Sequence, residues 1–281
     1  MAEILDGKKV SDKVLNELKV RLSRSYSIPK LSIILCGDDP ASILYTKMKK
    51  ESGEAIGLNV EICKLDERIT ADEFIQEIKN LNKTADGIMI QLPLPKHFDS
   101  KHILSFIDSD KDVDGLTGIS LGRTMEGDER FASATPKGII RLLEEYNISL
   151  EGKEVTIINR SSIVGKPLAL MLINRGATVT VCHSKTKDLL KHTKNADIIV
   201  IGVGKPNFLN ADMIKPEVVL IDVGISKVEG EIAGDIDFEN VKNKASFIAP
   251  VPGGVGPMTV AMLLENVVNK SVMIKNSRKA F

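Results

Sequence analysis

The feature that most constrains the fold is the alternation of short, β-branched apolar runs with segments of helical periodicity. Runs such as Leu31–Cys36 and Asp197–Ile201 have the length of buried strands, and helical patterns separate them along most of the chain. This alternation is typical of α/β proteins with mostly parallel sheets. The sequence therefore predicts an α/β fold.

The first half of the chain predicts strands and helices in turn. Three helices are expected. The first carries Val10, Val14, Leu18 and Leu22. The second is capped by Ser42, runs to about Ile56 and ends at Gly57, and the third is opened by the capping box Thr70–Glu73. The expected strands are Leu31–Cys36, Asn59–Leu65 and Gly87–Leu92.

A second unit is expected to begin near Thr135-Pro136, a helix cap followed by proline at the first helical position. The amphipathic helix at about 135–146 would bridge two domains, and the tail after Pro257 returns to a helical pattern. The pattern between them is typical of a doubly wound, nucleotide-binding unit. Its expected strands are Glu154–Asn159, Ala177–Cys182, Asp197–Ile201 and Val218–Val223.

Composition excludes several classes of protein. Lys plus Arg and Asp plus Glu both number 38, so there is no global electrostatic reason to expect a nucleic-acid partner or an anionic membrane, although a local basic patch stays open. The N-terminus lacks the apolar run of a signal peptide, and the apolar stretches are far shorter than the roughly 20 residues that span a bilayer. Sparse cysteines (Cys36, Cys63 and Cys182) indicate reduced thiols and a cytoplasmic protein. The four histidines show no metal-ligand spacing, so no metal is expected.

The loop after the strand Glu154–Asn159 is a candidate for binding a dinucleotide. Asn159, Arg160 and Ser161 lead to Gly165 and then to an apolar helix, and a helix N-terminus at this turn suits a pyrophosphate. The usual G-x-G-x-x-G is missing. The loop could equally be a polar turn that contains an arginine.

The end of the next strand favours NADP over NAD. About 20 residues after the loop, an NAD site places a carboxylate for the ribose hydroxyls, whereas this strand ends in Cys182-His183-Ser184-Lys185-Thr186. These donors, with Arg160, suit a 2′-phosphate. The alternative is a solvated turn. Gly202 and Gly204 end the following strand and would let a cofactor approach the backbone, though alone they are an ordinary glycine turn.

Two segments are candidates for catalysis and substrate binding. Tyr45 and Lys49 lie four apart on one helix face, and Gln91 ends a neighbouring strand; a partly buried lysine can act as a general acid or base. The alternative is an exposed helix face. The segment 250–259, with three glycines and three prolines, has an irregular backbone suited to a flat ligand or to a rigid linker.

The acidic stretch Asp110–Gly115 resembles the start of an EF-hand, but its twelfth position would be Leu121. The simple alternative is an acidic turn.

Taken together, these segments resemble one family over essentially the whole chain, the bifunctional methylenetetrahydrofolate dehydrogenase/methenyltetrahydrofolate cyclohydrolases. The matching stretches are YTKMKKESGEAIGL (45–58), GIMIQLPLP (87–95), DKDVDGLT (110–117), ATPKGIIRLL (134–143), RSSIVGKP (160–167), TVTVCHSKT (178–186) and PVPGGVGPMT (250–259).

The resemblance implies two α/β domains with a cleft between them. The first is a catalytic, folate-binding domain of residues 1–120 completed by the C-terminal helix within 257–281. The second is a Rossmann-like NADP-binding domain of residues 121–256. It also implies a homodimer formed through the NADP-binding domain, tetrahydrofolate derivatives as substrates, NADP as the cofactor and no metal for either reaction.

The resemblance also implies roles for individual residues. Lys49 would be the general acid/base, Gln91 would tune it, Tyr45 would orient the folate ring, and Asp114 would bond the pterin edge. The residues that would line the folate side are Pro252, Gly253 and Gly254. Those that would bind the cofactor are Asn159, Arg160, Ser161, Gly165, His183, Ser184, Gly202 and Gly204.

The sequence departs from the family pattern at two points. Asn159 stands where the family usually has glycine, which bears on how the pyrophosphate approaches, and Ala249 replaces the usual threonine. The chain also has no room for the formate-ligating domain of longer relatives.

The expected reactions are NADP-dependent oxidation of 5,10-methylene-tetrahydrofolate to the 5,10-methenyl form and hydrolysis of that product to 10-formyl-tetrahydrofolate. Two alternatives stay open, a monofunctional dehydrogenase and a non-catalytic dinucleotide-sensing module. The presence of Tyr45, Lys49 and Gln91 argues against both.

Overall fold

The computed structural model describes residues 1–25, 27–228 and 230–278. Its strands are β1 (Glu3–Ile4), β2 (Lys30–Cys36), β3 (Asn59–Leu65), β4 (Gly87–Ile90), β5 (Glu154–Ile158), β6 (Thr178–Cys182), β7 (Ile198–Ile201), β8 (Val219–Asp222), β9 (Ser226–Val228), β10 (Glu231–Ala233) and β11 (Phe247–Ala249). Its α-helices are α1 (Gly7–Ser23), α2 (Pro40–Ile56), α3 (Ala71–Thr84), α4 (Ser100–Leu104), α5 (Gly118–Met125), α6 (Ala134–Glu145), α7 (Gly165–Ile173), α8 (Leu189–Thr193), α9 (Phe238–Val241) and α10 (Val255–Arg278).

The chain divides into two compact units. Unit 1 comprises Met1–Asp12, Thr124–Gly127 and Thr135–Thr259, and unit 2 comprises Lys13–Arg123, Asp128–Ala134 and Val260–Phe281. The N-terminal residues group with unit 1 because β1 pairs in parallel with β11, a pairing that the sequence pattern did not predict.

Unit 1 is built on a parallel sheet with the strand order β1–β11–β8–β7–β5–β6. The chain passes from β5 to β6 on one side and then to β7 on the other, so the sheet has a switch point between β5 and β7. Doubly wound sheets bind their ligands at the carboxyl ends of the strands beside this point. The core is formed by buried strand residues, among them Ile158, Ile201 and Leu220.

Unit 2 has a smaller parallel sheet with the order β3–β2–β4, and its core includes the fully buried Phe74, Ile78 and Ile88. The helix α10 completes this unit through its buried Asn266, which donates to the carbonyls of Val113 (2.9 Å) and Ala132 (3.1 Å). The predicted fold class, two α/β domains with parallel sheets, is confirmed.

Several predicted boundaries are wrong by a few residues. The cap of α2 is Asp39 rather than Ser42: Asp39 Oδ2 accepts from the backbone N–H of Ser42 at 2.8 Å, while Pro40 opens the helix. The strand β4 ends at Ile90. The helix α6 begins at Ala134, one residue before the predicted cap Thr135. The helix α10 begins at Val255 rather than after Pro257. The Thr70 capping box is present as predicted.

Among the described residues, none of the helices has both the length and the apolar character that crossing a bilayer requires.

Candidate active site

A lysine and a glutamine meet at the carboxyl ends of the strands of unit 2. The helix α2 follows β2 and carries Lys49, while Gln91 follows β4, which pairs with β2. Lys49 Nζ donates to Gln91 Oε1 at 2.9 Å, and Gln91 Nε2 donates to the carbonyl of Leu92 at 2.7 Å. Because Gln91 is nearly buried (9% exposed) and both ends of its amide are engaged, its oxygen is held towards the lysine. Tyr45 lies one helical turn before Lys49 and is partly buried.

The charges around Lys49 shift its protonation. Burial lowers the pKa of Lys49, and the negative charge of Asp114 acts in the opposite direction. Burial also raises the pKa of Asp114 to about 6, because desolvation and the nearby Asp112 outweigh the attraction of Lys49. A lysine and a carboxyl group whose pKa values both move towards neutrality form an arrangement that can exchange protons near neutral pH.

Asp112, which sequence reasoning did not single out, organises the loop that carries Asp114. Its buried carboxylate accepts from the backbone N–H groups of Gly115 (2.9 Å), Leu116 (3.2 Å) and Thr117 (2.8 Å) and from Ser120 Oγ (2.7 Å). Gly115 has φ +69°, and a Cβ there would lie 2.5 Å from the backbone nitrogen of Ser133. The D-x-D-G spacing at 112–115 was the sequence signal from which this structural role of Asp112 could have been predicted.

In unit 1, the loop after β5 folds around the side chain of Asn159. Asn159 Oδ1 accepts from the backbone N–H groups of Ser161 (2.8 Å) and Gly165 (3.2 Å), and Asn159 Nδ2 donates to the carbonyl of Gly202. Gly165 opens α7, where a Cβ would lie 2.0 Å from the Asn159 carbonyl oxygen. Arg160 is exposed beside this turn. The loop thus reaches a helix N-terminus, the local geometry that favours an anion.

The end of β6 carries hydroxyl and cationic groups. The backbone N–H of His183 donates to Thr186 Oγ1 (2.9 Å), and His183 Nδ1 accepts from the backbone N–H of Lys185 (3.1 Å). Ser184 is exposed. The first carboxylate of this segment, Asp188, caps α8 by accepting from the backbone N–H of Lys191. The donor set therefore fits a 2′-phosphate better than a ribose diol.

The loop after β7 rests on a buried carboxylate that the sequence did not reveal. Asp235 is fully buried and accepts from the backbone N–H groups of Val203 (2.5 Å), Gly204 (2.9 Å) and Lys205 (2.7 Å). Gly204 has φ +69°, in the region that favours glycine.

The glycine- and proline-rich segment packs against the start of the chain. The backbone N–H of Lys8 donates to the carbonyl of Gly253 (3.0 Å), and the N–H of Gly254 donates to that of Pro250 (2.9 Å). A Cβ on Gly7 would lie 1.8 Å from the Gly254 carbonyl oxygen. This segment, including Pro252, is therefore a packed part of unit 1 rather than a free linker.

The structure brings the predicted residues together in two groups. Lys49, Gln91 and Asp114, with Tyr45 on the same helix as Lys49, belong to unit 2. The loops after β5 and β7 meet in unit 1, since Asn159 bonds to Gly202. The other predicted residues of unit 1 are Arg160, Ser161, Gly165, His183, Ser184, Gly204, Pro252, Gly253 and Gly254.

One unit is doubly wound and carries a dinucleotide-type loop, and the other is an α/β unit that holds the half-buried Lys49 against Gln91. This combination in one chain defines a two-domain pyridine-nucleotide enzyme. The family model described as "Tetrahydrofolate dehydrogenase/cyclohydrolase, catalytic domain" matches residues 5–114. The one described as "Tetrahydrofolate dehydrogenase/cyclohydrolase, NAD(P)-binding domain" matches residues 133–275. The chain belongs to the tetrahydrofolate dehydrogenase/cyclohydrolase family, and the predicted resemblance is confirmed.

Individual relatives match along nearly their whole length. A "Bifunctional protein FolD" from Nautilia profundicola is 49% identical over 271 residues, which are 94% of this chain and 95% of that protein. The crystal structure of the bifunctional FolD enzyme from Campylobacter jejuni is 47% identical with a TM-score of 0.95, covering 98% of this chain and 100% of that one. A Trypanosoma brucei enzyme of the same kind, complexed with NADP and an inhibitor, is 33% identical with a TM-score of 0.92, each chain being covered to 98%. The protein is a bifunctional methylenetetrahydrofolate dehydrogenase and methenyltetrahydrofolate cyclohydrolase.

Proposed function

We propose that Lys49 handles the protons of the cyclohydrolase reaction, with Gln91 holding its ammonium group. The observation that carries this assignment is the 2.9 Å bond between Lys49 Nζ and Gln91 Oε1, in surroundings that lower the pKa of the lysine. Asp114 bonds the pterin edge and Tyr45 orients the folate ring, as their positions around Lys49 allow.

Hydrolysis then needs no group beyond water and these side chains. Water adds to the methenyl carbon while Lys49, in its neutral form, accepts one of the water's protons. The C–N5 bond breaks as the carbinol oxygen loses its remaining proton and N5 gains one. The products are 10-formyl-tetrahydrofolate and one released proton. Gln91 keeps the lysine nitrogen in place because its own amide is fixed by Leu92.

We infer that the dehydrogenase reaction uses NADP. The donors at the end of β6, the absence of a carboxylate among residues 183–187 and the helix N-terminus at Gly165 fit this cofactor, and a relative from T. brucei holds it. When bound at these residues, NADP would supply the acceptor for the hydride of the methylene carbon. The residues that would hold it are Asn159, Arg160, Ser161, Gly165, His183, Ser184, Gly202 and Gly204. The residues Pro252, Gly253 and Gly254 would line the folate side.

We also propose that residues 1–120 with 257–281 form the domain that binds the folate, and that residues 121–256 form the domain that binds NADP. Within unit 1, residues Met1–Asp12 contribute structurally to the second of these domains through β1 and α1.

We further propose that the enzyme is a homodimer formed through unit 1. The antiparallel pair β9–β10 presents Val228 (43% exposed) and Ile232 (45%), and Ile225, the residue before β9, is also exposed (53%). A two-stranded ribbon with exposed β-branched residues can pair with a second copy through its open edges.

We propose a cytoplasmic location because the three cysteines are free thiols. Cys36, Cys63 and Cys182 are all free thiols, and burial raises the pKa of each. Unreactive free thiols are usual in a reducing compartment.

The Lys49→Met variant tests the catalytic assignment. We expect its hydrolysis of methenyl-tetrahydrofolate to fall by at least about 100-fold, the usual contribution of a general acid/base. The matched control is Lys47→Met, because Lys47 lies on the same helix with an exposed side chain (69%) that forms a loose ion pair with Glu51 at 3.7 Å. Cyclohydrolase activity of Lys49→Met near that of the control would overturn the assignment.

A further inference from the structure

The loop of residues 202–205, which joins β7 to the following segment, is exposed on its outer side and held from within by side chains. Val203, Gly204 and Lys205 are exposed, yet three consecutive backbone N–H groups turn inward to one buried carboxylate. Such a cradle of N–H groups around an anion normally binds a ligand. Here the protein supplies the anion itself, in Asp235.

Asp235 leaves the loop little freedom. Its Oδ2 accepts from Val203 and Gly204, and its Oδ1 accepts from Lys205. Hydrogen bonds to an ionised acceptor are stronger than those between neutral groups, and more so out of water. With these N–H groups engaged, the loop cannot offer them to a cofactor phosphate.

Asn159 holds the same loop from the neighbouring strand. β5 and β7 are paired, with Ile158 beside Ile201, so the residues that follow them, Asn159 and Gly202, leave the sheet side by side. The side chain of Asn159 spans the gap: Nδ2 donates to the Gly202 carbonyl, and Oδ1 accepts from Ser161 and Gly165. A glycine at position 159 could make none of these bonds.

Asp235 is in turn positioned by a second buried carboxylate, Asp222, at the end of β8. Asp222 accepts from the backbone N–H groups of Gly224 (2.9 Å), Asp235 (3.1 Å) and Ile236 (2.8 Å). The close packing depends on glycine, since a Cβ on Gly224 would lie 2.2 Å from the Asp235 carboxyl carbon.

We propose that Asn159 and Asp235 are positioning residues that clamp the 202–205 loop in its cofactor-binding form before the cofactor arrives. This inference rests on the proposed binding of NADP by Gly202 and Gly204. Because these hydrogen bonds join groups of the protein to one another, they do not need the cofactor, so binding does not have to order the loop and affinity for NADP is higher. Where the family usually has a flexible glycine, Asn159 therefore links the ends of β5 and β7 through the hydrogen bonds of its side chain.

The test measures NADP affinity of the full-length protein by calorimetry, together with kcat and KM of the dehydrogenase. We expect Asn159→Ala and Asn159→Gly to weaken NADP binding by about 5- to 20-fold, the effect of losing one or two net hydrogen bonds. Asp235→Asn keeps the shape but turns an amide donor towards backbone donors, so a larger loss is expected. In each variant KM for NADP should rise more than kcat falls, because the clamp acts on binding and not on the chemical step.

Two variants control for a general loss of stability. Asn82 also uses both ends of its side-chain amide on the backbone, donating to the Phe106 carbonyl (2.8 Å) and accepting from the Asp108 N–H (3.1 Å), but in unit 2. Asp197 accepts from the Glu154 N–H (2.9 Å) at the other end of the unit 1 sheet. Asn82→Ala and Asp197→Asn should lower the melting temperature and leave NADP affinity within about twofold.

The inference is overturned if Asn159→Ala and Asn159→Gly bind NADP as tightly as the wild type, whether or not Asp235→Asn folds. It is also overturned if the two control variants lose as much affinity as the Asn159 variants. A wild-type protein that hydrolyses methenyl-tetrahydrofolate but binds NAD instead of NADP would overturn the proposed cofactor, and the clamp would then fail with it.

Discussion

At the scale of single residues, the half-buried, desolvated carboxyl group of Asp114 links stability to pH. Its pKa is raised to about 6 from a usual 3.8, so the folded protein disfavours the ionised form. The contribution of this group to the free energy of unfolding is fully favourable below about pH 4 and is lost as pH rises towards 6 and above. A shift of this size corresponds to roughly 2–3 kcal/mol.

Asp114→Asn should remove this dependence. We expect the variant to unfold with a higher free energy than the wild type at pH 7.5, by up to about 2–3 kcal/mol, and with a similar free energy at pH 4. Urea denaturation at both pH values measures this difference. An equal difference between variant and wild type at the two pH values would contradict the burial of the charge.

At the scale of elements, the cap of α2 fixes the start of the helix that carries Tyr45 and Lys49. Asp39→Ala removes the bond from the Ser42 N–H and should cost about 1 kcal/mol of unfolding free energy. Asp38→Ala is the neighbouring control, because the Asp38 side chain is 76% exposed in its ion pair with Lys64 and should change stability by less than about 0.5 kcal/mol. Similar losses in both variants by chemical denaturation would refute the capping role.

The start of α1 is tied to the glycine- and proline-rich segment through Gly7. Alanine in a helix is normally stabilising by up to about 1 kcal/mol over glycine, but at Gly7 the added Cβ would meet the Gly254 carbonyl. We expect Gly7→Ala to lower the melting temperature, whereas Gly122→Ala in α5, where a Cβ meets nothing within 4 Å, should keep or raise it. Differential scanning calorimetry of both variants gives the answer, and a stabilised Gly7→Ala would rule out the close packing.

The sequence predicted the elements whose signal is local. Thr70 and Glu73 form their capping box as expected, and Asn59–Leu65 is a strand with the predicted limits. The short strands β1 and β11 were missed because two or three residues carry no periodicity, and their pairing joins residues far apart in the chain. Asp235 was missed for the same reason, since its partners at 203–205 lie about 30 residues away.

At the scale of the whole molecule, the ribbon β9–β10 gives a direct test of the proposed dimer. Ile232→Glu should convert the protein from twice the chain mass to the monomer mass in light scattering after size-exclusion chromatography, since a buried, unpaired carboxylate opposes association. Ile28→Glu, at an exposed apolar residue of unit 2 (69%), should remain dimeric. A dimeric Ile232→Glu variant would place the interface elsewhere.

The pairing of β1 with β11 also bears on how the chain is made. Glu3 and Ile4 leave the ribosome long before their partners Phe247 and Ile248, because more than 240 positions separate the paired residues in the chain. Segments of unit 2 lie between them, so a domain that folds as it leaves the ribosome can be unit 2 in large part but not unit 1. The residues of β1 therefore wait without their strand partner while all the segments up to β11 are synthesised.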